Sequence, residues 1–196
     1  MLWSIPIAVI AGTVVRVHIT FLVFLIWVAG THWRLGGQAA ALDGVLFIVL
    51  LFACVVAHEF GHIFAARRYG IRTPEVTLWP IGGVASLERI PDNPREELVV
   101  ALAGPAVNVV IALVLIVLVD GTPDTAAVMA METPQSGLIP RLAAANIFLV
   151  VFNLIPAFPM DGGRVLRALI AMRAGRARAT HIAARIGQGA AFLFAP

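Results

Sequence analysis

The sequence contains no lysine, a single cysteine and few charges of either sign. Only 13% of its 196 residues are charged, about half the share a soluble domain carries. With Cys54 alone, no intramolecular disulfide can form, so a secreted scaffold held by bridges is excluded. No Pro/Ser-rich linker, repeat or low-complexity tract interrupts the chain, which excludes disordered and collagen-like classes and makes residues 1–196 one domain. In place of charge there are apolar residues, 60% of the total, with a mean hydropathy of +0.94. The class that fits is a membrane protein.

All 14 basic residues are arginines, against 11 carboxylates, and the pI near 10.4 resembles a nucleic-acid footprint. The arginines, however, lie in short loops between apolar runs, where basic residues set orientation in a membrane. No nucleic-acid partner is expected; the bilayer is.

A spanning helix needs about 20 predominantly apolar residues. Four stretches approach that length: Val17–Trp33, Gly44–Ala66, Leu98–Val119 and Leu142–Pro159. A fifth begins near Ile186 and reaches Pro196 after only 11 residues, so the natural chain is expected to continue. Met1–Val15 has no basic residue before Arg16, so a cleaved signal peptide is not expected and the first helix should stay as an anchor. Alternating the crossings puts 12 of the 14 arginines on one side, leaving only Arg34 and Arg141 on the other. The N-terminus is therefore expected in the cytoplasm and the loop Asp120–Pro140 outside.

Ionisable residues within a span are costly and usually mark function. Here they are His58, Glu59 and His62, which follow the 14-residue uncharged run Gly44–Ala57 and complete an H-E-x-x-H pattern. On a helix, positions i and i+4 share a face, so both imidazoles can reach one tetrahedral metal ion. Glu59 is rotated about 100° from His58, which suits a base acting on water at the metal better than a third ligand. A bland alternative is that these residues cap the cytoplasmic end of the helix beside Arg67 and Arg68.

A catalytic zinc needs a third protein ligand and keeps one position open. Asp161 is the candidate, because Pro156 and Pro159 should unwind the fourth helix just before it, at the same membrane end as His62. Asp161 is also well placed to N-cap the amphipathic segment Gly162–Arg173, and the two roles can coexist, but a cap alone does not explain the proline break at this membrane end. His18, His32 and His181 lie near helix ends and are read as interfacial; Cys54, one turn before His58, is read as small apolar filler.

Together these residues resemble the site-2 protease family of intramembrane zinc metalloproteases. The likeness covers nearly the whole chain. It is anchored on His58-Glu59-Phe60-Gly61-His62, Leu78-Trp79-Pro80-Ile81-Gly82-Gly83-Val84-Ala85, Ala103-Gly104-Pro105-Ala106-Val107-Asn108 and the stretch Asn153–Gly163. It implies one zinc held by His58, His62 and Asp161, Glu59 as the catalytic acid/base, and Asn153 orienting substrate or stabilising the oxyanion. The spelling of the second and fourth anchors is most similar to the prokaryotic branch with about six spans and, often, cytoplasmic CBS domains. This sequence departs from that branch by ending inside the fifth span and by lacking a CBS-like segment or PDZ insertion.

The fold expected is an all-α polytopic bundle of about five to six spans with one small exception. Val76–Leu87 is uncharged but carries Pro80, Gly82 and Gly83, and reads as a re-entrant strand or hairpin near the active site. Its edge could pair with an unwound substrate through main-chain hydrogen bonds; a plain turn packed on the bundle is the alternative. Asn108 reads as a bond to a neighbouring helix, whereas Asn153 reads as a substrate contact. The leading function is cleavage of single-span membrane proteins within or beside the bilayer. The alternative is a transporter or sensor that binds zinc without hydrolysis, and Glu59 separates the two.

Overall fold

A computed structural model describes residues 3–118 and 137–194, with side chains through residue 187. Most of the Asp120–Pro140 loop lies outside the described residues; from Leu138 onward it is already helical.

The chain opens with a feature the sequence reading did not anticipate. Strands β1 (Ser4–Ile10) and β2 (Thr13–His18) form an antiparallel hairpin. The two residues between them, Ala11 and Gly12, both have positive φ, the geometry that matches the twist of a tight hairpin. Val17, expected to begin the first span, is thus a strand residue, and the helix starts at Ile19. Alternation explains why: Thr13, Val15 and Val17 are buried while Val14, Arg16 and His18 are less so, a period of two rather than 3.6.

Helix α1 (Ile19–Arg67) is a run of 49 residues broken at Gly36 and Gly37. Gly37 takes φ 68°, which a side chain disfavours, and the two arms fold back on each other so that the Phe21 and Phe52 rings meet at 4.4 Å. The arms correspond to the first two apolar stretches. His18 caps the start by accepting from the Thr20 N–H and stacks on Trp79 at 3.7 Å. His32 packs against Gly44 across the two arms, while His181 is exposed and Cys54 is free and half-buried.

After α1 the chain returns to the sheet. Strand β3 (Glu75–Trp79) lies parallel to β2, and β4 (Gly82–Ala85) folds antiparallel onto β3, giving the order β1-β2-β3-β4 with β4 at one edge. A hairpin is therefore present where Val76–Leu87 suggested one, but as half of a four-stranded sheet. The sheet packs on both arms of α1, chiefly the second: Val15 and Val76 bury against Phe60 and Ile63, and Val17 and Leu78 against Phe21 and Phe52. These contacts fix the helix turn that carries His58 and His62.

Helix α2 (Pro94–Leu118) crosses that arm closely, since a Cβ at Gly61 would stand 2.6 Å from the Ala103 carbonyl oxygen. Helix α3 (Leu138–Asn153) packs on α2, and its buried Arg141 pairs with Asp43 near the break in α1. The segment 154–160 is unwound, as the prolines require, before α4 (Asp161–Ala174) and α5 (Arg176–Phe194). The stretch read as a fifth span is the second half of α5, whose side chains beyond residue 187 lie outside the described part.

Among the described residues α1 and α2 are long and apolar enough to cross a membrane, and α3 is a shorter apolar helix. Their outward faces are oily: Ile26 is 73% exposed and Val117 76%. A soluble protein rarely exposes apolar patches so large, and a bilayer would cover them.

Candidate active site

His58 and His62 lie one turn apart on the second arm of α1 and are both buried. The unwound segment after α3 brings Asp161 to them. Gly162 and Gly163 make that approach possible, because a Cβ on either would overlap the backbone of Leu154–Ala157. The Asp161 Oδ2 lies 3.1 Å from His58 Nε2 and 3.0 Å from His62 Nε2, and the two Nε2 atoms are 3.1 Å apart.

A tetrahedral zinc with bonds of about 2.0–2.1 Å needs ligand atoms roughly 3.3 Å apart. The three atoms are close to that spacing and of the right chemistry, two imidazole nitrogens and one carboxylate oxygen, so the residues fit one zinc ion. The capping role weighed for Asp161 is not seen. Met160 is the N-cap, without a side-chain bond, and Asp161 is the first helical residue with its carboxylate turned to the histidines.

Gly104 of α2 completes the enclosure. A Cβ there would overlap both imidazole Nε2 edges, so only glycine lets α2 pass this close. His62 Nδ1 is 2.7 Å from the Val100 carbonyl oxygen. His58 Nδ1 bonds the Asn108 side-chain oxygen, Asn108 donates to Asn146 Oδ1 at 2.7 Å, and Asn146 donates to the Leu142 carbonyl at 2.8 Å. Asn108 thus does bond a neighbouring helix, as read from the sequence, and also reaches His58. Sequence reasoning missed Asn146; the available signal was a second amide beside Asn153 within the apolar stretch Leu142–Pro159.

The three potential ligands open onto a cleft of about 400 Å³ that is also lined by Glu59, Gly82, Gly83, Asn153, Met160 and Arg164. Glu59 faces β4, and a Cβ at Gly83 would stand 2.8 Å from its Cγ. Asn153, the last residue of α3, donates its Nδ2 to Leu149 O at 3.0 Å while lining the cleft. Arg164 stands 3.9 Å from Asp161.

The model of Peptidase family M50 matches residues 46–135 and 124–195. The chain is 38% identical over 200 residues to a zinc metalloprotease of Methanocaldococcus jannaschii, covering 98% of this chain and 53% of that protein. It is 28% identical over 142 residues to stage IV sporulation protein FB of Bacillus subtilis, covering 72% of this chain and 44% of that protein. The chain thus spans about half the length of these relatives. Among solved structures it is similar to the site-2 protease from Methanocaldococcus jannaschii, with a TM-score of 0.68, 36% identity, and coverage of 97% of this chain and 82% of that one. A family model over most of the chain and a metalloprotease aligned along nearly all of it show that this chain belongs to Peptidase family M50, the site-2 protease family of zinc metalloproteases.

Proposed function

We propose that the chain is the catalytic core of a protease that hydrolyses peptide bonds in or near the membrane-spanning segment of single-span membrane proteins. The observation that carries this reading is the convergence of His58, His62, Asp161 and Glu59 on one cleft bordered by β4. His58, His62 and Asp161 would hold one zinc per chain. When bound, zinc acts as a Lewis acid that polarises a carbonyl and makes water a nucleophile near neutral pH.

The remaining steps belong to the protein's own side chains. Glu59 follows His58 in sequence but points about 100° away around the helix, so its carboxylate is free of ligation. It takes the proton from the attacking water and returns one to the leaving amine. Asn153 orients the substrate from the cleft wall.

A substrate helix hides its peptide bonds, so it must be unwound and held extended. Strand β4 is an edge of the sheet, and among the described residues no further strand pairs with its outer side, where an extended peptide could add. A substrate added there runs past Gly83 and Glu59, and main-chain pairing reads little side-chain sequence. The β3–β4 hairpin is read as re-entrant because Val76–Leu87 is uncharged yet carries Pro80, Gly82 and Gly83.

The protein is a multi-pass protein of the cell membrane, with its N-terminus in the cytoplasm and its active site nearer that side. The arginine asymmetry supports this orientation, and the Asp43–Arg141 ion pair agrees with the alternation of crossings by joining the break in α1 to the start of α3 at one end of the bundle.

The test uses the intact natural protein in liposomes with a single-span substrate. Cleavage should stop on chelation and return with zinc, and the His58→Ala, His62→Ala double variant should hold no zinc, while Asp161→Ala binds it more weakly. Movement of zinc across the bilayer with no cleavage would contradict the proposal, as would one zinc per chain in the double variant.

A further inference from the structure

We infer that Asn108 is a positioning residue for His58, holding its ring so that Nε2 faces the metal, through a proton order set by a backbone carbonyl on another helix. This rests on the reading of His58 as a zinc ligand. The order can be read from its far end. The Leu142 carbonyl can only accept a hydrogen bond, so Asn146 must present its Nδ2 there, at 2.8 Å. Its Oδ1 is then the atom left facing α2, where it accepts from Asn108 Nδ2 at 2.7 Å.

Asn108 therefore turns its own oxygen to His58 Nδ1. An amide oxygen only accepts, so Nδ1 carries the proton and the lone pair lies on Nε2, the atom beside Asp161 and His62. Flipping either amide would set two oxygens against each other. Asn108 and Asn146 are fully buried, so water cannot relieve such a mismatch.

His62 reaches the same tautomer differently, because its Nδ1 faces the Val100 carbonyl at 2.7 Å. That anchor is main chain and cannot be removed by substitution. The His58 anchor is a relay of two side chains across α1, α2 and α3, and can be cut. The same face of α2 serves both purposes one turn apart: Gly104 makes room for the Nε2 edges, and Asn108 holds the Nδ1 edge.

The test measures zinc affinity by chelator competition, and the ligand-field spectrum with cobalt, on the intact natural protein. Asn108→Leu, which removes the acceptor at similar volume, should weaken zinc about 10- to 100-fold and change the cobalt spectrum. Asn108→Asp keeps an acceptor for Nδ1 but loses the bond to Asn146, so it should lose clearly less affinity than Asn108→Leu, even where both variants melt at lower temperature. Asn146→Leu, which frees the Asn108 amide to turn, should give a smaller loss. The positioning role is overturned if Asn108→Leu binds zinc like the unaltered protein while His62→Ala loses it, or if Asn108→Asp loses as much affinity as Asn108→Leu. Unchanged zinc in His62→Ala would instead overturn the site itself.

Discussion

Gly83 on β4 and Glu59 on α1 are packed so closely that a methyl group on Gly83 would stand 2.8 Å from the Glu59 Cγ. No side chain sits comfortably at that separation, so a Gly83→Ala variant must push either the carboxylate or the strand edge. Both belong to the proposed catalytic geometry, whereas the zinc ligands lie on other contacts. Displacements of this size cost on the order of 10- to 100-fold in rate. Zinc content should stay near one per chain while cleavage falls by that amount, measured by metal analysis and substrate cleavage on one preparation. Full activity in Gly83→Ala would show that the strand does not confine Glu59.

A second expectation concerns what holds α4, and so Asp161, against the bundle. Glu97, buried at the start of α2, accepts from Arg167 of α4 through Nε at 2.8 Å and again through the terminal guanidinium nitrogen. Arg167→Ala leaves a buried carboxylate without its partner, which costs about 3–5 kcal/mol. Thermal melting in detergent should shift down by several degrees. A change below about 0.5 kcal/mol, the range of ordinary surface substitutions, would mean the pair contributes nothing.

Much of the site is legible in the sequence because its signals are local. His58 and His62 are separated by one helical turn, and Pro156 and Pro159 announce an unwound segment before Asp161. The glycines of β4 likewise marked the hairpin. The β1–β2 hairpin was missed although Val15 and Val17 alternate with Arg16 and His18 and Ala11-Gly12 offers a turn; so short an alternation ran directly into a long apolar stretch and was absorbed by it. The cap weighed for Asp161 does not form because Met160 takes the N-cap position, leaving Asp161 as the first helical residue with its carboxylate turned to the imidazoles. The relay through Asn108 and Asn146 could not be read at all, since it depends on the packing register of α2 against α3, which no periodicity encodes.

Topology gives a third expectation. In a Cys54→Ala background, a cysteine placed at Thr122 should react with an impermeant reagent in intact cells. Labelling only after lysis would contradict the cytoplasmic placement of the N-terminus and of the 12 arginines grouped with it.

The most direct measurement is zinc content and substrate cleavage together for Glu59→Gln in the intact natural protein. Glutamine keeps the size and part of the hydrogen bonding but cannot accept the proton from water. Zinc should remain near full occupancy, because His58, His62 and Asp161 are untouched, while cleavage falls by roughly 100-fold or more, the usual range for a lost general base. Cleavage at the unaltered rate by a zinc-loaded Glu59→Gln protein would contradict the proposed chemistry, even with the metal bound where His58, His62 and Asp161 meet.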